Sequence, residues 1–358
     1  MEKQTAIASS CFFLLYIATF TVAEVLEAHH HHHRHNRHGS MKLFVFGDSY
    51  VDTGNTGKFV SASWKEPYGI NFPGKPAGRF LDGFVLTDYI ASFLGIRSPV
   101  PYALRKFVKK SKLESGMNFA FGGTGVFDTL VSGPNLTTQV GFFEQLLQQK
   151  VYAKNDVVKS SIALVSVAGN DYAAHFGRPG NDTKDLAMFT KSIIKQLTVD
   201  LKRIHDLGVQ KIAVTTIEPL GCLPSITSFL SYQNCNEFAN MASMFHNQIL
   251  LQKLEELNKE TKNSTFVDLD LYNAFISAVK PPKHHQGYST FQINTLKPCC
   301  VGVSNEYSCG SVDQTGAKKY IVCDNLDVSF FWDTVHPSQN GWHEVYAAIK
   351  PSLRQLYS

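Results

Sequence analysis

The chain has 358 residues, 44% hydrophobic and 18% charged, which is enough apolar material for a large α/β core. Its formal net charge is +4 and its pI near 8.5, with cations in scattered pairs around Lys106, Lys109 and Lys110 and not in one long run. That distribution argues against a nucleic-acid-binding protein.

The first residues are laid out like a secretory signal, with Lys3, an apolar stretch from about Ile7 to Val22 and small residues ending at Ala23. Residues 1–23 are therefore expected to be a signal peptide. The run Cys11 to Phe20 is short for a bilayer, and nothing later reaches the roughly 18 apolar residues a span requires, so no stable membrane span is expected. His29 to His38 holds seven histidines interrupted by Arg34, Asn36 and Arg37. It reads as part of a disordered tail, 24–40, that would gain charge in an acidic wall space.

Residues 41–358 read as a single domain in which buried-strand runs alternate with helical periodicity, the pattern of a parallel sheet covered on both faces. Strands are predicted at Leu43 to Phe46, Ile162 to Val167, Ile212 to Ile217 and Thr265 to Leu269. Helices are predicted at Phe84 to Leu94, Thr138 to Lys150, Asp185 to Leu207, Asn236 to Asn258 and Asn340 to Leu356. In the fourth, Phe238, Met241, Phe245, Leu250, Leu254 and Leu257 share roughly one face, with His246 beside it as a packed histidine. The stretches Pro67 to Gly83 and Pro281 to Cys323 read as long loops. Open α/β sheets bind ligands beyond the carboxyl ends of their strands, so the residues there are the candidates for chemistry.

Ser49 follows the first strand in Phe46-Gly47-Asp48-Ser49-Tyr50, on a glycine-permitted turn before an expected helix. Free serine is a poor nucleophile and needs a histidine base with an orienting carboxylate. Asp333-Thr334-Val335-His336-Pro337, just before the last helix, can supply both, because a three-residue gap in a loop lets the carboxylate fold back onto the imidazole. His343, a turn further on, reads as packed or solvent-facing. An acyl-transfer site also needs donors for an oxyanion. The run Asn118 to Gly125 offers backbone N–H groups, and Asn170, in Gly169-Asn170-Asp171 after a strand, offers an amide. The G-x-S-x-G elbow of other α/β hydrolases is absent. A metal-dependent phosphoesterase would want clustered histidines downstream, which His205, His246, His284 and His285 do not provide.

Cys11 leaves with the signal, and six cysteines remain: Cys222, Cys235, Cys299, Cys300, Cys309 and Cys323. An even number in an exported chain points to disulfides, with Cys222 and Cys235 closing a short loop and three pairings open for the other four. The spacing lacks the paired C-x-x-C repeats of zinc sites. Sequons at Asn135, Asn181 and Asn263 point to N-glycosylation, in keeping with an extracellular protein of the apoplast or cell wall.

The blocks FVFGDSYVDTGN, NFAFGGTG, GND and DTVHP, together with PYGINFPGKPAGRF and IEPLGCLPS, stand in an order and at separations that resemble the plant GDSL esterase/lipase family of the SGNH hydrolases. The similarity runs over nearly all of the chain after Lys42. It implies a flavodoxin-like three-layer α/β/α sandwich and a cofactor-free, metal-free esterase or lipase. Its substrate would be a lipid, an acylated polysaccharide or a small acyl ester. It further implies Ser49 as nucleophile, His336 as base and Asp333 as its partner, with an oxyanion hole of Ser49 N–H, Gly123 N–H and the Asn170 side chain. In one place the chain departs from the family pattern: Tyr50 stands where the family's name has leucine.

Overall fold

The computed structural model describes residues 41–59, 61–178, 185–279 and 295–357. The expected signal peptide and tail, Asn181, His284 and His285 lie outside them.

The first half of the chain runs β1 (Lys42–Gly47), α1 (Leu86–Phe93), β2 (Val100–Pro101), β3 (Gly116–Asn118), α2 (Leu136–Gln148) and α3 (Lys154–Ser160). It continues through β4 (Ser161–Ser166), α4 (Gly169–Gly177), α5 (Leu186–Asp206), β5 (Lys211–Thr215) and α6 (Glu237–Thr261). The last elements are β6 (Phe266–Leu269), α7 (Leu271–Val279), β7 (Cys300–Gly302), β8 (Tyr320–Val322) and α8 (Gln339–Leu353). Six strands form a parallel sheet in the order β2-β3-β1-β4-β5-β6. The order reverses at β1, which pairs with β3 on one side and β4 on the other, so the carboxyl end of β1 opens onto the crevice where such sheets bind ligands.

The side chains of β1 explain the layers. From Leu43 to Phe46 all are apolar, and alternate ones face opposite sides. Leu43 and Val45 join one apolar layer with Leu86 and Ile90 of α1, Phe275 of α7 and Trp342 and Val345 of α8. Phe44 and Phe46 join the other, with Val140 and Phe143 of α2, Ile193 and Leu197 of α5 and Leu250 and Leu254 of α6. The molecule is thus an α/β/α sandwich about a parallel sheet. Side-chain caps start three of its helices: Asn135 accepts from Thr138 N, Asn236 from Ala239 N and Ser338 from Gly341 N.

The four strands and five helices anticipated from periodicity are present, with ends shifted by a few residues. The short elements β2, β3, α3, α4 and α7 were not anticipated, because two or three residues, or two helical turns, are too few to display a period. The stretch read as one loop up to Cys323 contains the antiparallel pair β7 and β8. The helix expected after Ser49 is a single turn. Asp52 explains the correction, since its carboxylate captures the N–H groups of Gly54, Asn55 and Thr56 that a helix would have used. On α6 the expected stripe holds only at Leu250, Leu254 and Leu257, while Phe238 and Met241 are exposed. The buried face of its first half is polar because it clamps the loop after β5: Gly221 N donates to Asn240 Oδ1, Leu220 N to Ser243 Oγ and Ile217 N to Asn247 Oδ1.

Disulfides join Cys222 to Cys235, Cys299 to Cys323 and Cys300 to Cys309. Among the described residues no helix is long and apolar enough to cross a membrane.

Candidate active site

Gly47 sets where Ser49 lies. Its φ is +142°, and a Cβ there would come within 1.8 Å of the Ser166 carbonyl oxygen, so only glycine lets β1 turn while still touching β4. Asp48 N donates to that carbonyl, and Val51 N and Asp52 N fold back onto Asp48 O, which leaves Ser49 on the crown of a tight turn. The fully buried Gln139 of α2 grips the same point, accepting from Gly47 N at 2.8 Å and donating to Gly47 O at 2.9 Å.

The segment from Phe330 to Ser338 brings in the histidine. Phe331 and Pro337 form an antiparallel bridge, Trp332 N donates to His336 O, and Ser338 N donates to Phe330 O. Within this loop the Asp333 carboxylate accepts from Val335 N at 2.9 Å and from His336 N at 2.8 Å. His336 Nδ1 lies 2.9 Å from both Asp333 oxygens, and Nε2 lies 2.8 Å from Ser49 Oγ. The three residues picked from the sequence therefore form one unbroken row. Tyr68 donates to Asp333 Oδ2 at 2.8 Å, and the Phe80 ring stacks on the imidazole at 5.3 Å between centroids. Burial pushes the Asp333 carboxyl up, but the charge and hydrogen bonds of His336 and the N–H of Val335 outweigh it and hold the group below its usual range. A hydroxyl beside an imidazole whose other nitrogen is held by a carboxylate is the arrangement nucleophilic acyl transfer requires.

The glycine-containing run lies against this row through side chains that the sequence reading left without a role. Asp52 accepts from Gly122 N as well as from its own turn, and Asn118 Oδ1 accepts from Ala120 N. Asn55 Nδ2 donates to the carbonyls of Asn118 and Ala120. Gly123 itself has φ +83°. Asp171 accepts from Val126 N and Phe127 N, both at 2.9 Å, and a Cβ on Gly125 would sit 2.3 Å from its carboxylate. Asn170 Nδ2 donates to Thr124 O at 3.1 Å, which docks the amide beside Gly123 and leaves its second hydrogen for another acceptor. Ala168, with φ +115°, makes the turn from β4 into α4 that presents Gly169 and Asn170.

Tyr68, Asp171 and Gln139 were thus missed by sequence reasoning. Asp171 stands in the Gly-Asn-Asp triplet, which could have flagged it, whereas Gln139 lies hidden inside a helical period and Tyr68 inside a stretch read as loop. His246 has no part in the site: it is fully buried, its Nδ1 is 3.0 Å from Tyr172 Oη, and burial lowers its pKa to about 3. His343 is exposed.

Residues 43–349 match the family model for GDSL-like lipases and acylhydrolases. The Arabidopsis thaliana GDSL esterase/lipase At5g03610 is 49% identical over 345 residues, covering 96% of this chain and 96% of its own length. A second Arabidopsis thaliana protein, GDSL esterase/lipase At3g09930, is 50% identical over 320 residues, or 88% of this chain and 89% of its own. The similarity spans the nucleophile turn, the glycine-containing run and the histidine loop together, and the chain belongs to the GDSL-like lipase/acylhydrolase family of carboxylic ester hydrolases.

Proposed function

We propose that this ester hydrolase works through Ser49 as nucleophile, His336 as general base and Asp333 as the group that orients the imidazole. The observation that carries the reading is the row of contacts from Ser49 Oγ to His336 Nε2 at 2.8 Å and from Nδ1 to Asp333 at 2.9 Å. In the first half-reaction Ser49 Oγ attacks the ester carbonyl as its proton passes to Nε2. The carbonyl oxygen, now negative, is held by Ser49 N–H, Gly123 N–H and the Asn170 amide. The tetrahedral species then breaks its bond to the alkoxide, which takes the proton from Nε2 and leaves an acyl-serine. Water, deprotonated by His336, attacks that ester, and the acid departs as Ser49 recovers its proton.

The substrate is an acyl ester of a lipid, a polysaccharide or a small alcohol, with an apolar acyl chain on the Gly123 side. Val131 packs against Gly123, Leu130 lies near Gly177 at the end of α4, and Leu130, Val131 and Phe176 are all exposed. Such a rim gives an acyl chain apolar area to cover, at about 25 cal/mol per Å². The protein acts outside the cell: three disulfides suit an oxidising compartment. Of the sequons, Asn263 is exposed after α6, whereas Asn135 caps α2 and donates to Asp128.

A fluorophosphonate probe should label Ser49, and turnover of p-nitrophenyl esters should vanish in Ser49→Ala. Normal turnover by folded Ser49→Ala protein would overturn the assignment.

A further inference from the structure

Phe80 is a large ring with no place in the core. It is half-buried and joins neither of the two apolar layers, although Leu81 beside it is buried in one of them. Its backbone is held from both sides. Arg79 clasps Asp88 of α1 through two hydrogen bonds of 2.9 Å, Leu81 O accepts from Gly69 N, and Asp82 O accepts from Asn71 N and Phe72 N. The same stretch is fastened to the histidine loop by Tyr68 at Asp333, and to the start of α8 by Asp82 at Gln339 N. From this clamped backbone the ring meets two parts of the site. It stacks on the His336 imidazole at 5.3 Å between centroids and 30° between planes. It also lies against Gly122, where a Cβ would come within 2.3 Å of both Phe80 Cε2 and Cζ and 2.9 Å of Thr56 Oγ1.

Hydrogen bonds alone hold an imidazole loosely against tilting. The χ2 torsion of histidine is broad, and a hydrogen bond tolerates a bend of about 30° before it weakens. Asp333 at Nδ1 and Ser49 at Nε2 therefore leave His336 some freedom to swing Nε2 off the line to Ser49 Oγ. Contacts on the faces of the ring must supply the rest. Phe80 stacks on one face, while Tyr50 meets the imidazole edge-on at 5.9 Å. A ring resists such a swing only if it is itself backed, and Gly122 backs Phe80. Gly122 N is pinned by Asp52 Oδ2 and Thr56 Oγ1, both at 3.0 Å, and Gly123 follows it directly. Gly122 has no left-handed φ, so what a side chain there would cost is space.

We infer that Phe80 is a positioning residue, a wedge between the base and the glycine-containing run that keeps the His336 imidazole aimed at Ser49 and at a set distance from Gly123. The wedge needs an aromatic ring at 80 and no side chain at 122. His336 moves the proton in both half-reactions, so loss of the wedge lowers kcat whichever of them limits turnover. Binding of the intact ester, which needs no aimed imidazole, is left nearly unchanged.

The inference rests on the proposed triad, so its test carries a separate reading for each. Fluorophosphonate labelling of Ser49 in the wild type reports the triad. Values of kcat, KM and melting temperature for Phe80→Ala, Gly122→Ala and the double variant report the wedge. Phe80→Ala should lower kcat by roughly 10- to 100-fold, the scale of a misplacement of about 1 Å, with KM within about threefold. Because the ring is half-buried and outside both apolar layers, the melting temperature should fall by only a few degrees. Gly122→Ala pushes the ring off the imidazole and should lower kcat by a similar factor. In the double variant the new methyl group enters the space the ring has left, so kcat should stay within about threefold of Phe80→Ala alone. Multiplied losses in the double variant would overturn the wedge, since the two positions would then act apart, Gly122 through Thr56 or Gly123. Wild-type kcat in Phe80→Ala, or a loss that falls on KM in place of kcat, would overturn it too, with a labelled Ser49 and the triad left intact. An unlabelled Ser49 would overturn both. Should Gly122→Ala not fold, Phe80→Ala still decides, by whether kcat or only stability is lost.

Discussion

The turn that carries Ser49 and the loop that carries His336 approach to 2.8 Å, and they are fastened by different means. Around the serine, buried polar side chains do the holding: Asp52, Asn55, Asn118 and Gln139 each bond two or more backbone groups from separate segments. Around the histidine, the loop closes on its own backbone and on the fully buried rings of Phe330, Phe331 and Trp332. Cys299 N and Cys300 N donate to Phe331 O and Trp332 O, so two disulfides lie directly against it. A frame of directional bonds fixes orientation but leaves a costly unpaired group whenever one member is lost, about 1–3 kcal/mol. A frame of burial and cross-links loses stability in proportion to what is removed, with less change in aim.

The comparison breaks most sharply at the reacting atoms, where the two frames act as one. Ser49→Ala and His336→Ala should each cost more than about 10⁴ in kcat, with the double variant little worse than either. Asp333→Asn should retain more activity than these, since Asp333 orients and takes no part in bond making. Additive losses in the double variant would show that the residues do not work together. Asn170→Ala comes next: as an oxyanion donor it should lower kcat by roughly 10²–10³ with little change in KM. A drop in melting temperature with normal kcat would instead make it a turn residue.

The frames themselves separate under gentler changes. Cys299→Ser with Cys323→Ser should cost about 2–4 kcal/mol of stability on denaturant unfolding, while kcat of the folded fraction stays within a few fold. Asp52→Ala, which leaves the donors of Gly54 and Asn55 unpaired and takes from Gly122 N one of its two acceptors, should lower kcat as well as stability, because the turn and the glycine-containing run both lose their aim. Equal kcat losses in the two variants would erase the distinction.

Much of this was legible in the sequence because it is local or repeated. The apolar runs of β1, β4, β5 and β6 are long enough to read, and the layered fold follows from their alternation with helices. Ser49, Asp333 and His336 could be picked out because each follows a strand or precedes a helix in a short motif. The groups that hold them could not. Gln139 meets Gly47 across 92 positions, and Tyr68 meets Asp333 across 265, and no local pattern encodes such pairings. The α6 stripe misled for a related reason: Asn240, Ser243 and Asn247 face inward to bond a distant loop, which hydrophobic periodicity reads as solvent.

The smallest effect concerns pH, and each region contributes one carboxyl to it. Asp171 holds the glycine-containing run, and Asp82 accepts from Gln339 N at the start of α8, just beyond the histidine loop. Burial raises both to about 6, against backbone hydrogen bonds that favour the ionised form. A carboxyl raised in the folded state binds its proton there at a pH where the unfolded chain has released it. Folded protein then holds more protons between about pH 4 and 6, and stability falls as pH rises through that window. Asp333, held below its usual range, has the opposite sign, and its contribution is lost only as pH drops below the ordinary carboxylate range. Unfolding midpoints should therefore rise as pH falls from about 6 to about 4 and decline in stronger acid. Asp171→Asn and Asp82→Asn should each flatten the slope between pH 4 and 6, by no more than about 3 kcal/mol over the window. The slope is the reading that counts, since either substitution also removes a hydrogen bond and shifts the midpoint at every pH. An unchanged slope in both variants would mean that these carboxyls titrate alike in the folded and unfolded chain.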